Sequence, residues 1–171
     1  MSRSGPACLL AAILAAALVG CLPGPALLAD VPDFRPETFF AGRTTGDVRL
    51  TIRMRAPQRL RVESVGAAQA DGAFRLDQTI TYPDGHSDRR TWTMRALGDG
   101  RYASTLTPDA RGAVRVEAAG RALRIRYRMG RMTTMDQTLS LHAGGQTASN
   151  VATVRMMGVP VARLTEVITR G

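Results

Sequence analysis

The stretch FRLDQTITYPDGHSDRRTWTMR, residues 74–95, decides the fold because it reads as two strands joined by a tight turn. Apolar residues alternate with polar ones on both sides of the turn: Phe74, Leu76, Ile80 and Tyr82 before it, and Trp92 and Met94 after it. The turn is Pro83-Asp84-Gly85, in which proline fixes φ at the first corner and glycine accepts a positive φ. The stretch therefore predicts an antiparallel β-hairpin.

The same period-two alternation continues from residue 46 to the end of the chain. In residues 48–54 every second residue, from Val48 to Met54, is apolar, and in residues 123–129 apolar side chains alternate with arginine. Turn residues recur about every 8–12 positions, so the pattern predicts about ten short strands and no long helix. A closed barrel leaves no exposed strand edge. We therefore favour an all-β, antiparallel up-and-down, lipocalin-like β-barrel, with a Greek-key sandwich as the alternative.

The N-terminal segment has the composition of a secretory signal peptide. Arg3 is its one charge, and residues 7–20 form an apolar run that is short for a membrane span. The run ends in Leu18-Val19-Gly20-Cys21, which resembles the lipobox of bacterial lipoproteins. The resemblance implies cleavage before Cys21 and lipidation of its thiol. The alternatives are ordinary signal cleavage near Ala29 and a retained anchor.

This reading also sets the expected compartment and the expected division of the chain. Leu22, and not aspartate, follows Cys21, which by resemblance to the enterobacterial sorting rule favours the outer membrane over the inner membrane, on the periplasmic side. With Cys8 in the removed signal, the mature fold would hold no disulfide and no Cys-ligated metal. The expected parts are a lipoprotein signal peptide at 1–20, the lipidated Cys and tether at 21–38, and the barrel domain at 39–171.

Charge composition limits the expected partners. All positive side chains are arginines, and the formal net charge is +9. Anionic lipid head groups are the expected partners of a basic belt, although simple solvation also explains exposed arginines. Aromatic residues make up 5% of the chain, too few to interleave with the arginines as stacking residues do in single-strand binders, so we expect no nucleic-acid partner. The belt would consist of Arg49, Arg53, Arg55, Arg59, Arg61, Arg124, Arg126 and Arg128.

No set of residues makes a convincing catalytic or metal site. His86, Ser87 and Asp88 are the residue types of a catalytic triad, but neighbours in one turn cannot converge as a relay does. The one other histidine, His142, lies several strands away, and a zinc site needs three or four ligands. We therefore expect no enzyme, no metal and no cofactor.

Five residues of the predicted interior are candidate ligand-binding residues: Gln78, Arg90, Trp92, Tyr127 and Glu166. Gln78 and Glu166 interrupt apolar faces, and a polar group inside a barrel must be hydrogen-bonded or face a wet cavity. Arg90 could stack on Trp92 or bind a carboxylate or phosphate head group. The alternatives are a self-satisfied internal network and, for Trp92, a core role closing one end of the barrel.

Several short motifs carry a family resemblance from about Phe39 to the C-terminus. The motifs are Phe39-Phe40-x-Gly42, Leu76-Asp77, Tyr82-x-Asp84-Gly85, Arg89-Arg90-x-Trp92, Gly100-x-Tyr102, Gly112, Gly120-x-Ala122-Leu123 with Tyr127, Asn150-x-Ala152 and Gly158. Their order resembles a family of uncharacterised proteobacterial lipoproteins with a lipocalin-like fold, a domain of unknown function. The resemblance implies an envelope lipoprotein with a barrel and no established activity. The chain departs from the family pattern at Gln78, usually Glu, and at residues 140–143, which lack an Asp-Asp-Trp-Met run.

These observations lead to two functional expectations. The first is a lipid-anchored module that binds a small apolar or amphipathic molecule. The second is a structural or interaction lipoprotein with a filled core and a basic face for an envelope partner. A cavity of about 300 Å³ or more, lined by Met94, Tyr127 and Met129, would favour the first, and a solid core the second.

Overall fold

The computed structural model describes residues 32–171, which form one short helix and ten antiparallel strands. The helix α1 is Pro36–Phe39. The strands are β1 Gly42–Ile52, β2 Gln58–Ala68, β3 Phe74–Thr81, β4 Ser87–Gly98, β5 Arg101–Thr107, β6 Val114–Ala119, β7 Ala122–Arg128, β8 Thr133–Leu141, β9 Thr147–Met156 and β10 Val159–Arg170. None of the helical segments in this part of the chain is long and apolar enough to cross a bilayer.

Each strand pairs with its sequence neighbour, and β1 pairs with β10 to close the barrel. The predicted up-and-down barrel is therefore confirmed. The Greek-key alternative is wrong because no strand crosses over another to find its partner. Residues 32–171 contain every strand of the closed sheet, so no segment outside them is needed to complete its hydrogen bonding.

The central hairpin forms as its sequence predicts. Leu76 lies opposite Trp92, and both side chains are buried. The Tyr82 amide donates to the carbonyl of His86 at 3.0 Å, and Gly85 has a φ of 88°. Pro83 and Gly85 thus supply the two dihedrals that the turn requires.

One predicted inward residue lies elsewhere. Met54 continues the apolar alternation of β1 in the sequence, but the strand ends at Ile52 and Met54 is 97% exposed in the following loop. Its φ of 63° belongs to a turn, because a continued strand would need an extended backbone. Alternation alone does not show where a strand stops.

An aromatic plug closes the end of the barrel that holds the N-terminal ends of β1 and β3. Phe34, Phe39 and Phe40 are buried, with ring centroids 4.9–6.3 Å apart. The Phe34 amide donates to the carbonyl of Gly120 at 2.8 Å. Gly66 makes room for the plug, because a Cβ atom there would lie 2.1 Å from the Phe40 carbonyl oxygen. We call this the closed end and the opposite end the mouth.

The plug corrects two expectations. Phe34 and Pro36, which fall in the predicted tether, are buried in the core. The end of the barrel is closed by the phenylalanines, whereas Trp92 lies further along the interior, opposite Leu76 and Leu106. Tyr102 fastens α1 by donating to Glu37 at 3.1 Å; burial and this carboxylate raise the pKa of Tyr102 to about 12.

Candidate functional site

A row of polar side chains crosses the inside of four neighbouring strands. Thr44, Ser64, Gln78 and Arg90 are successive register partners on β1, β2, β3 and β4. The first three are at least nine-tenths buried, and the Arg90 side chain is 18% exposed. The row exists because each of the four residues occupies an inward-facing position of its own strand, and strand pairing sets these positions side by side.

Gln78 is the centre of this row. Its Oε1 atom accepts from Nε of Arg90 and from Nε1 of Trp92, both at 2.8 Å, and its Nε2 atom donates to Oγ of Ser64 at 3.0 Å. Arg90 also donates to Asp109 at 3.4 Å. Arg90 and Trp92, which we expected to stack, instead donate to the same acceptor, Oε1 of Gln78. These bonds hold the guanidinium at a fixed place inside the barrel.

A second polar pair completes a layer across the interior. Asn150 on β9 and Glu166 on β10 are register partners, and the Asn150 amide donates to Glu166 at 2.8 Å. The carboxyl group lies directly over Gly46 of β1, where a Cβ atom would be only 2.0 Å from Oε1 of Glu166. Glycine at this position therefore gives the buried acid its space. We call the two groups together the polar layer: Thr44, Ser64, Gln78, Arg90, Asn150 and Glu166.

Burial shifts the ionisation of two groups in and beside the layer. Desolvation raises the pKa of Glu166, which the Asn150 hydrogen bond and the positive charge of Arg90 partly oppose. Desolvation also raises the pKa of Tyr127, whose ring packs edge-to-face on Trp92 with centroids 6.0 Å apart. Both shifts favour the neutral, protonated forms.

A small cavity of about 30 Å³ lies beside the polar layer; Gln78, Arg90, Asn150 and Glu166 line it together with mainly apolar side chains. Four of the five predicted residues line it, namely Gln78, Arg90, Trp92 and Glu166. Tyr127 does not line the cavity but packs against Trp92, which does. A space of this size holds one or two water molecules. It is far below the volume that we expected of a carrier, and Met94 lines it whereas Tyr127 and Met129 do not.

Several buried polar atoms at this level have no hydrogen-bond partner among the described residues. They include the Tyr127 hydroxyl, Oδ1 of Asn150 and the hydroxyl of Thr44. Leaving such an atom unpaired costs about 1–3 kcal/mol, so a buried interior normally satisfies it with protein, water or ligand. The layer therefore has hydrogen-bonding capacity that its own side chains do not use.

Apolar side chains lie between the polar layer and the mouth. Val48, Leu60 and Val62 are buried there, and half-buried Ile80 and Leu164 pack against them. Because Ile80 follows Gln78 by two residues on β3, it stands one step closer to the mouth on the same face. A molecule entering the barrel would pass these apolar groups before it reached Arg90.

Sequence reasoning found five of these residues and missed others. Ser64 and Asn150 lie two residues from apolar, inward-facing residues of their strands, so the period-two alternation alone could have identified both as inward-facing. Asp109 lies in the loop after β5, where no periodicity marks it, and Gly46 gives no chemical signal of its own. The two histidines take no part: His86 stacks on Tyr82 at the mouth, and His142 bonds Ser149 at the closed end.

Comparisons with known proteins agree with the barrel. The S-type phycobiliprotein lyase CPES of Guillardia theta superposes with a TM-score of 0.63 at 4% identity, over 79% of this chain and 90% of the lyase. A DUF3598-family protein of unknown function from Nostoc punctiforme gives a TM-score of 0.63 at 15% identity, over 84% of this chain. The match covers 51% of the length of the Nostoc protein.

The protein Rv2717c of M. tuberculosis gives a TM-score of 0.60 at 16% identity and is matched over 99% of its length. Such identities show a shared lipocalin-like fold and nothing about activity. No curated protein matches the chain. Residues 16–170 match the sequence profile of the family described as protein of unknown function (DUF3833). The chain therefore belongs to the DUF3833 family, whose function is unknown, and the expected domain of unknown function with a lipocalin-like barrel is confirmed.

Proposed function

We propose that this protein is a binding module whose polar layer takes the acidic head group of a small amphipathic molecule. The observation that carries the proposal is the polar layer with its neighbour Tyr127: a fixed Arg90 guanidinium, and buried polar atoms of Tyr127 and Asn150 that have no partner within residues 32–171. Arginine is well suited to carboxylate and phosphate groups. A raised pKa keeps Glu166 closer to its neutral form, which lessens repulsion of an anion.

The size of the cavity restricts the ligand. A space of about 30 Å³, which holds one or two water molecules, admits at most a carboxylate-sized group and leaves no room for a chain in the closed half of the barrel. The remainder of the ligand would lie toward the mouth, against Val48, Leu60 and Ile80. The lyase among the similar structures acts, by its name, on phycobiliproteins; the proposal depends on this chain's own interior and not on that likeness.

Native mass spectrometry of the protein, purified gently from its own envelope, tests the binding proposal. We expect a reproducible adduct of a small amphiphile, and we expect Arg90→Gln to lose it. The matched control is Arg89→Gln, which removes the same charge from the neighbouring, exposed position. An adduct that survives in Arg90→Gln, or an apo mass that persists after lipid mixtures are added, would refute the proposal.

The small cavity favours a second candidate, a structural or interaction protein with a filled barrel. In that case the layer would be satisfied by water, and function would reside on the basic outer face. A clean apo mass together with a crosslinked envelope protein would support this candidate.

We further propose that the protein is lipid-anchored through Cys21 at the cell envelope. Cys21 and the predicted signal lie outside the described residues, so the support is the sequence Leu18-Val19-Gly20-Cys21 alone. Replacing Cys21 with Ala should move the protein out of the membrane fraction, and fractionation of the wild type should place it in the outer membrane. Retention of Cys21→Ala in membranes would contradict the proposed lipidation.

A further inference from the structure

Three neighbouring loops at the mouth expose large apolar side chains. The loops join β1 to β2, β9 to β10 and β7 to β8, and they are adjacent because the strand order around the barrel is β2-β1-β10-β9-β8-β7. Two backbone bonds connect them: the Arg53 amide donates to Val161, and the Met157 amide to Met132, both at 2.9 Å. The loops therefore form one continuous surface, which we call the methionine rim. Its exposed apolar members are Met54 (97% exposed), Met132 (59%), Met156 (49%), Met157 (74%) and Val159 (52%).

The methionine rim is positively charged throughout. Arg53, Arg55 and Arg131 lie in its loops, and none of them forms an ion pair within residues 32–171. No acidic residue occurs in the loop segments 52–58, 129–133 and 155–164. The rim thus combines unpaired cations with exposed apolar groups.

The acidic residues at the mouth lie on the other side. Asp84 and Asp88 belong to the β3–β4 turn region, and Asp109 to the β5–β6 loop. These two loops are neighbours in the barrel, across the mouth from the methionine rim. Arg89, Arg90 and Arg111 offset these acids, so this side is close to neutral whereas the rim is positive, and the rim is the side that suits an anionic surface.

We propose that the methionine rim docks on an anionic lipid bilayer. Methionine side chains are flexible and polarizable, so they can insert among acyl chains at the depth of the head groups. Arginine guanidinium groups bind phosphates at that level, and each basic residue near an anionic surface contributes attraction. A symmetric contact between two copies would bring the same patch together and place arginine against arginine, which disfavours a dimer through this surface.

The position of the N-terminus is compatible with this orientation. The described chain enters at the closed end, where the Phe34 amide bonds Gly120, whereas the rim is at the mouth. A strand of 12 residues, such as β10, rises about 40 Å along its own axis and about 30 Å along a tilted barrel. Residues 22–33 reach at most about 40 Å when extended. An anchor at Cys21 and the rim could therefore contact the same bilayer.

Vesicle sedimentation of residues 32–171, which contain the complete barrel, tests the docking proposal without any lipid anchor. We expect binding to vesicles of phosphatidylglycerol and phosphatidylcholine, no binding to phosphatidylcholine alone, and weakening with added salt. Arg55→Glu should lower the partition coefficient about tenfold or more, since it replaces an attraction with a repulsion. Met157→Ser should lower it several-fold, while Leu97→Ser and Arg121→Glu, exposed at the closed end, should leave it unchanged.

Each alternative outcome would overturn the docking proposal. Equal binding to neutral vesicles would remove the role of charge, and equal losses from the closed-end variants would remove the role of the rim. A concentration-dependent dimer abolished by Met157→Ser would assign the surface to a second copy, and a crosslinked acidic protein with no vesicle binding would assign it to a protein partner. Thermal unfolding of every variant checks that these exposed substitutions leave the barrel folded. Vesicle binding and the adduct that Arg90→Gln should lose are measured separately, so either proposal can fail while the other holds.

Discussion

The close approach of Glu166 to Gly46 makes a sharp prediction about the polar layer. A Cβ atom at position 46 would lie 2.0 Å from Oε1 and 2.9 Å from Cδ of Glu166. Both distances are far inside van der Waals contact, so Gly46→Ala must displace the buried carboxyl group. The displaced group loses its 2.8 Å bond from Asn150, and the cavity into which it can turn is small, about 30 Å³, and lined mainly by apolar side chains.

The expected cost follows from these two losses. A hydrogen bond to a carboxyl group contributes about 1–3 kcal/mol, and overpacking a core costs about 1–3 kcal/mol. Because Oε1 is the end of a flexible side chain that can turn away, part of the overlap is relieved, and we expect Gly46→Ala to lower the free energy of unfolding by about 1–3 kcal/mol. In a Glu166→Ala background the clash disappears, and Gly46→Ala should stabilise by about 0.4–1 kcal/mol through the lower entropy of the unfolded chain. The two sites should thus show a coupling energy of several kcal/mol.

Urea unfolding followed by the fluorescence of Trp92, the single tryptophan, measures all four members of this cycle. Gly130→Ala is the matched control, because its added Cβ atom meets no atom closer than 3.9 Å. If Gly46→Ala destabilises equally with and without the Glu166 side chain, the carboxyl group does not lie over Gly46. The described polar layer would then be wrong.

Four further substitutions, at three positions, follow from the same geometry. Gly66→Ala should destabilise by about 3 kcal/mol or more, because its Cβ would meet the backbone of Phe40, which cannot yield as a side chain can. Gln78→Met should lower the free energy of unfolding by about 2–4 kcal/mol, because it leaves several buried groups unpaired. Gln78→Glu should change the free energy of unfolding little, because the Arg90 guanidinium, 2.8 Å from Oε1 of Gln78, would neutralise the new carboxylate. Glu166→Gln should stabilise the fold increasingly as pH rises above 4.5, the ordinary pKa of the acid.

The sign of the Glu166 effect comes from proton linkage. Burial raises the pKa of Glu166, so the folded state holds a proton that the unfolded state has already released. Stability is then lost as pH rises from 4.5 to the raised value, and Glu166→Gln escapes this loss. Thermal unfolding of both proteins across pH measures the difference; a difference that is constant with pH would contradict the raised pKa. Urea unfolding is the assay for the substitutions at Gly66 and Gln78. A Gly66→Ala protein as stable as the wild type would contradict the close contact with Phe40. A Gln78→Glu protein as unstable as Gln78→Met would contradict the pairing with Arg90.

Much of the fold could be predicted because its signals are local. The alternation around Leu76 and Trp92, and the turn that ends in Gly85, are properties of neighbouring residues, and period two admits one arrangement with a buried apolar face. The same parity marked Gln78 and Glu166 as inward-facing. The alternation wrongly predicted Met54 as inward-facing, because the end of a strand depends on where its partner strand stops.

The sequence by itself determined an all-β class with period-two strands and a basic exterior, favoured a closed barrel over a Greek-key sandwich, and proposed Gln78, Arg90, Trp92, Tyr127 and Glu166 as interior residues. The tertiary structure decided which of these residues meet, since Gln78, Arg90 and Trp92 converge only through the register of β3 and β4. It also decided the size of the cavity, which depends on how side chains from strands distant in sequence fill one level of the barrel. Likewise, the methionine rim exists only because closing β1 on β10 brings three separate loops to one side of the mouth.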